Sequence, residues 1–288
     1  MTKHAICIQC HERPEQVSLL AAQFPPGAFD VFIHVDRKSA IQPLIEAREN
    51  VFFVPDDARV DVRWGQWSQV QATLALFRMI DPAKHAYAHL ISGVDFPIKA
   101  PSEILKTCEN GLEYIESKPL PESTTWAWGG MDRLLVPTPR WMIRRPNETF
   151  FRVLRISWRE FVMRTGVFRR RNWPVPKFYS GSSWFSVSGG LVGWMLEYLD
   201  AHPEYSRFFA AGACVDEIFF ATLVRQSPYA DRLAGSPMRF IRWKGGSNGG
   251  PSVLTAADIP AMAAHPGFFA RKIDDRAVCE RIRDALLT

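Results

Sequence analysis

The chain has 288 residues, of which 47% are hydrophobic, 12% aromatic and 23% charged, and its formal net charge is +5; that apolar content supplies a sizeable core and excludes a disordered chain. The opening MTKHAICIQC holds no apolar run of signal-peptide length, and no later stretch approaches the ~18 to 20 uncharged residues of a bilayer span, so a cytoplasmic protein is expected. Five scattered cysteines, Cys7, Cys10, Cys108, Cys214 and Cys279, are too few for a disulfide framework and fit a reducing compartment.

In chain order, residues 5–10, 31–35, 51–54, 87–92 and 112–115 read as strands. The CxxC of Cys7 and Cys10 falls inside the first of these, with no second Cys pair or His-rich partner nearby, and reads as strand interior, not as zinc ligands. Residues 14–23 form a helix opened by Pro14, and 39–48 a helix capped by Ser39. Val70, Leu74 and Phe77 lie at i, i+4 and i+7 of a helix over 66–80. This alternation predicts an α/β fold with a mostly parallel sheet flanked by helices on both faces. From 119 to 176 seven prolines break the pattern, and only 150–163 is continuously helical, so this stretch reads as an excursion from one domain. Order resumes with a strand at 183–187, a helix at 191–201 and a helix opened by Asp216 as its cap.

Charge is concentrated in that excursion. Between Arg133 and Lys177 there are twelve Lys or Arg against two acids, Glu148 and Glu160, which makes the block +10 and leaves the remainder at −5. Such a block, 133–177, fits solvated surface or docking on an anionic glycan or an anionic leaflet, the inner membrane for a cytoplasmic protein; no nucleic-acid signature accompanies it, and no nucleic-acid partner is expected.

Ligands of a parallel sheet gather beyond the carboxyl ends of its strands. Here those ends are polar: Cys10-His11-Glu12-Arg13, His34-Val35-Asp36-Arg37, and Ser92-Gly93-Val94-Asp95-Phe96-Pro97. Neither GxGxxG nor GxxxxGK[ST] occurs, which removes dinucleotide-fingerprint and P-loop chemistry. No DxD triplet occurs either, so any bound diphosphate must be neutralised by side-chain cations and not by a carboxylate-held metal.

Six strings, IHVDRKS (33–39), RWGQWSQVQATL (63–74), LISGVDFPIK (90–99), YSGSSWFSVS (179–188), VDEIFFATL (215–223) and FFARKID (268–274), together resemble the core-2/I-branching family, the β-1,6-N-acetylglucosaminyltransferases and peptide O-xylosyltransferases, with this chain similar to a short bacterial member. The resemblance implies a GT-A-like (Rossmann-type) α/β domain over 1–288: a nucleotide-sugar half at 1–118, a basic acceptor-side excursion at 119–178, and a catalytic and diphosphate-binding half at 179–288. It further implies an inverting transferase that moves a sugar, GlcNAc or xylose, from a UDP-sugar to a hydroxyl of a glycan, glycolipid or glycoprotein, with no metal and no other cofactor.

Carried residue by residue, the resemblance makes Glu217 the catalytic base and Lys272, with Arg271, the cations at the diphosphate. The family's upstream arginine has no counterpart in Gly249-Gly250-Pro251-Ser252-Val253, so Lys244, Arg242 or the backbone amides of 245–250 would take its place. Gln9, His11, Asp36, Arg63, Trp64 and Asp95 fall on the nucleotide side, Asp95 organising the site, approaching the donor or capping the turn before Pro97. Glu116, Arg133, Trp184 and Trp243 fall on the acceptor side, where tryptophan faces cover pyranose C–H groups and charged groups bind hydroxyls. A non-catalytic nucleotide-sugar or glycan-binding protein on the same fold is the alternative.

Overall fold

The computed structural model describes residues 2–287 except 123, 125, 139–148 and 245–249. Its centre is a five-stranded sheet built from β1 (Lys3–Cys10), β2 (Phe29–Val35), β3 (Val51–Phe53), β4 (His85–Ser92) and a later strand, β8 (Ser186–Ser188), in the order β3-β2-β1-β4-β8. The first four are parallel and β8 runs antiparallel to β4. This is a mixed α/β domain with a mostly parallel sheet between helical layers, consistent with a GT-A-like fold.

Strand β1 shows why the sheet is buried on both sides. Its alternate residues Ala5 and Cys7 enter one apolar cluster, and Ile6, Ile8 and Cys10 the other, as the two-residue period of a strand demands. On the first face lie α2 (Trp67–Phe77), through Val70, Leu74 and Phe77, together with α6 (Gly189–Ala201) and α8 (Asp216–Leu223). The second face is covered by α1 (Pro14–Ala21), α3 (Pro101–Cys108) and the terminal α10 (Arg276–Leu286). A smaller sheet, β5 (Asp95–Pro97), β9 (Arg239–Ile241) and β10 (Phe269–Arg271), brings the last third of the chain to the end of β4. A two-residue ladder, β6 (Lys118–Pro119) with β7 (Tyr179–Ser180), closes the base of the excursion.

The excursion itself contains the short α4 (Asp132–Leu135) and α5 (Thr149–Thr165). Between α6 and α8 lies α7 (Pro203–Phe209), and α9 (Ile259–Ala264) precedes β10.

Several local expectations are corrected. Residues 39–48 form only a single 3-10 turn, Gln42–Leu44, because Pro43 lacks the N–H that a second helical turn needs; Ser39 Oγ instead donates to the His11 carbonyl at 2.7 Å. Residues 112–115 make isolated bridges, Glu113 to Leu233 and Tyr114 to Ser186, and not a strand. The strand expected at 183–187 is confined to Ser186–Ser188, leaving Ser183 and Trp184 free of the ladder. Asp216 is the first residue of α8 and not its cap; its carboxylate accepts from Ser183 Oγ at 2.7 Å. In the basic block, several cations serve the fold: Arg170 donates to the carbonyls of Leu134 and Phe208 and lies over the Phe208 ring, while Arg169 donates to the Met163 carbonyl.

Candidate active site

The strand order 3-2-1-4 reverses direction at β1, which opens a crevice between the carboxyl ends of β1 and β4. Gly93 is required there, since a Cβ would meet Cys10 Cβ at 2.9 Å and Val17 Cγ2 at 3.1 Å. Its N–H donates to the Gln9 carbonyl, while the Gln9 side-chain amide donates to Thr73 Oγ1 at 2.7 Å. Gln16 donates to the carbonyls of Ile273 and Gly93 and Arg13 to that of Asp274, so α1, the β4 loop and the segment after β10 are tied together around the crevice.

Four expected nucleotide-side residues lie on the loops that follow β1, β2 and β3, three of them linked through Ser39, Lys38 and Asp61. His11 is exposed beside Ser39, and Asp36 is buried at the end of β2, its carboxylate receiving the Lys38 backbone N–H at 3.0 Å and the Lys38 ammonium at 3.1 Å. That ammonium also reaches Asp61 at 2.7 Å, and Arg63 lies 3.6 Å from the same acid. Trp64, 87% exposed, projects beside Arg63. Gly65 takes φ +68° and accepts the Cys214 N–H, which fixes this loop against the residues leading into α8.

Glu217 stands in the first turn of α8, half-buried, where the helix dipole favours an ionised carboxylate. Its Oε2 receives Arg133 Nη1 at 2.5 Å, and the Arg133 guanidinium lies 3.5 Å from the centre of the Trp126 ring. Oε1 has no hydrogen-bond partner among the described residues. Burial pushes the Glu217 carboxyl above the ordinary carboxylate range; the Arg133 charge opposes this and neighbouring Asp216 adds to it. Glu116 closes the same corner: Gly181 donates to the Glu217 carbonyl at 2.8 Å, a Cβ on Gly181 would fall 2.1 Å from the Glu116 carbonyl oxygen, and Lys118 pairs with the Glu116 carboxylate at 2.6 Å.

A second cluster faces it across two consecutive residues. Ser183 binds Asp216, and next to it the Trp184 ring carries the Arg271 guanidinium at 4.7 Å. Arg271 is paired with Asp95 at 2.9 Å and also donates to Ser92 Oγ; Asp95 is fully buried, and its other oxygen receives the Ser92 N–H at 2.7 Å. Asp95 thus ties the end of β4 to Arg271, and Arg271 bridges Asp95, Ser92 and the Trp184 ring. Lys272 follows it, half-buried, with no ion-pair partner among the described residues, and its carbonyl receives Leu254 N–H. Arg242 is engaged by Asp258, whereas Lys244 and Trp243 are exposed, Trp243 at 65%. The loop amides expected at 245–250 fall outside the described residues except for Gly250.

Sequence reasoning did not assign roles to Trp126, Ser183, Lys38 or Arg239. Arg239 is buried with no ion-pair partner among the described residues, donating to the carbonyls of Leu90 and Phe185 and to Ser186 Oγ; burial lowers it to about 9, with the Asp95 charge opposing. Among the described residues the one grouping with metal-ligand chemistry is His4, His89 and Cys108. These side chains are buried in the core; His4 bonds His89 at 3.1 Å, His89 bonds Ser186 Oγ at 2.9 Å, and burial pushes the Cys108 thiol up to about 12.

A sequence model described as Core-2/I-Branching enzyme matches residues 12–266, most of the chain. The chain belongs to the core-2/I-branching enzyme family. Membership makes it a glycosyltransferase and, in general terms, gives it a nucleotide-sugar donor and a glycan acceptor. No curated protein matches the sequence. Among the described residues no helix is long and apolar enough to cross a membrane.

Proposed function

We propose that this family member is an inverting, metal-independent, UDP-sugar-dependent transferase acting in the cytoplasm, with Glu217 as its general base. The observation that carries this reading is the Glu217 carboxylate: half-open, one oxygen held by Arg133 and the other without a partner among the described residues, joined through Ser183-Trp184 to the segment that ends in Lys272. In the proposed step Glu217 Oε1 takes the proton of the acceptor hydroxyl as that oxygen bonds to the anomeric carbon. The bond from that carbon to the β-phosphate oxygen breaks on the opposite face, and UDP departs with the electron pair. The Lys272 ammonium stabilises the charge that develops on UDP. The absence of a DxD triplet supports a donor site without a metal, and GlcNAc or xylose is the donor sugar that the family resemblance favours.

His11, Asp36, Arg63 and Trp64 are assigned to the nucleoside, and Glu116, Arg133 and Trp243 to the acceptor. Glu217→Gln tests the reading: transfer from a UDP-sugar falls by on the order of 10² to 10⁴ while UDP binding persists. An unchanged transfer rate removes Glu217 as base, and strict restoration of activity by Mn²⁺ after EDTA treatment overturns the role given to Lys272.

A further inference from the structure

Helix α5 turns an inverted face to solvent. Its inner side is fixed by Val162 and Met163 against Leu135 and Val136, by Trp158 Nε1 donating to the Pro137 carbonyl at 2.9 Å, and by Arg159 at 3.6 Å from Asp132. On the outer side Phe150, Val153 and Phe161 share one stripe at 100° per residue, 69%, 55% and 47% exposed. Just beyond the helix, Phe168 is 63% and Trp173 43% exposed. Ser157 and Arg164 lie on the same stripe, which therefore joins large exposed apolar side chains to a cation, a combination suited to being covered by a polar-headed apolar layer.

Charge selects what covers it. Residues 149–173 contain seven arginines and one acid, Glu160. Arg152 and Arg171 are exposed with no acid paired to them among the described residues, and Arg164 is 74% exposed. Arg164 stands on that stripe and Arg171 just beyond the helix; apolar side chains with guanidinium groups beside them match an anionic lipid surface, where the rings enter the headgroup boundary and the cations meet phosphates. Like charge on both partners opposes pairing with a second copy.

We infer that α5 and the segment to Trp173 form an in-plane docking surface for an anionic membrane leaflet. The helix is one ion pair from α4, whose Arg133 holds Glu217; with the transferase reading above, docking would present a lipid-linked acceptor hydroxyl to the base. Co-sedimentation of the full chain with vesicles tests the docking without any sugar donor, so its failure is separate from failure of the transferase reading. Binding is expected to vesicles of phosphatidylcholine mixed with phosphatidylglycerol, to weaken with salt, and to be at least tenfold weaker on phosphatidylcholine alone. The double variant Phe150→Ser/Phe161→Ser should lose at least tenfold in partitioning, and Arg164→Gln about fivefold, with unaltered circular dichroism. Binding to neither vesicle, or equal binding by the double variant, overturns the inference. So does a concentration-dependent dimer abolished by the same variant, which would assign the stripe to a second copy.

Discussion

Two arginine–carboxylate pairs stand on either side of Ser183-Trp184 and do different work. Arg271 and Asp95 are 2.9 Å apart with the acid fully buried, a second arginine contact on Ser92 and a backbone N–H on the other oxygen. Arg133 and Glu217 are 2.5 Å apart, but 36% of the Glu217 side chain is open and one oxygen has no partner among the described residues. Both arginines also rest on a tryptophan ring. The chemistry of the two pairs is the same, and burial separates them: a sealed pair fixes backbone segments, whereas a half-open one can exchange a proton with a ligand. The most direct way to break this comparison is to neutralise each acid without changing its shape. Asp95→Asn leaves a guanidinium beside an uncharged amide in a buried site and should cost about 3 to 5 kcal/mol of stability, read as a lowered urea midpoint. Glu217→Gln, at a site open to water, should cost less than about 1 kcal/mol; equal losses would refute the distinction.

Lys272 extends the comparison from acids to cations. Arg271 is paired with Asp95, whereas Lys272 has no ion-pair partner among the described residues; in the reading proposed above, its ammonium is the cation that meets the departing diphosphate. Lys272→Ala should lower turnover by on the order of 10² to 10³, about 2.7 to 4 kcal/mol, with unfolding unchanged within roughly 0.5 kcal/mol. Single-turnover kinetics together with a urea titration separate the two, and a stability loss without a rate loss would return Lys272 to the fold.

What could be read in advance follows the same division. Strands β1, β2 and β4 were legible because apolar residues occupy both faces of each, and the helix over α2 because Val70, Leu74 and Phe77 repeat at its period. The helix expected at 39–48 failed because a local Ser cap was weighed above Pro43 inside the next turn. The carboxyl-end residues could be listed from the strands, but their pairing could not: Glu217 finds Arg133 at a separation of 84 residues, and Asp95 finds Arg271 at 176. Composition likewise gave the basic block one character, whereas the structure divides it, turning Arg133, Arg169 and Arg170 inward and leaving Arg152 and Arg171 outside. Charge counts register the sign of a segment and are blind to which carbonyl or carboxylate each cation meets.

A sealed group should also respond to acid through stability, where a half-open one responds through rate. His34 is buried at the end of β2 and its Nε2 accepts the Val60 N–H at 2.9 Å, so the neutral ring is required; burial lowers it from 6.5 to about 4. The unfolded chain therefore binds the proton first as pH falls. The stabilisation is complete above pH ~6.5 and diminishes toward the folded value, by about 2 kcal/mol at pH ~5. His4 and His89 act in the same direction, while the raised carboxyls of Glu113 and Asp132 act in the opposite one. Urea midpoints measured from pH ~7 to ~5 should fall, and His34→Gln should flatten that fall; an identical slope in the variant would exclude His34.

The smallest effect addresses how Arg133 is held. The Trp126 ring beneath its guanidinium contributes about 0.5 to 2 kcal/mol, and Trp126→Leu removes that support without touching Glu217. Arg133 lowers the carboxyl of Glu217 against the upward push of burial, so a loosened Arg133 lets that carboxyl rise. The base then stays protonated to higher pH, and the acid limb of kcat/KM should move to higher pH by up to about one unit. Trp184→Leu, beneath the sealed pair, should leave that limb in place while lowering the urea midpoint. If both variants shift the limb alike, the pairs on the two sides of Ser183-Trp184 form one coupled electrostatic unit, and the division between a structural and a chemical carboxylate fails.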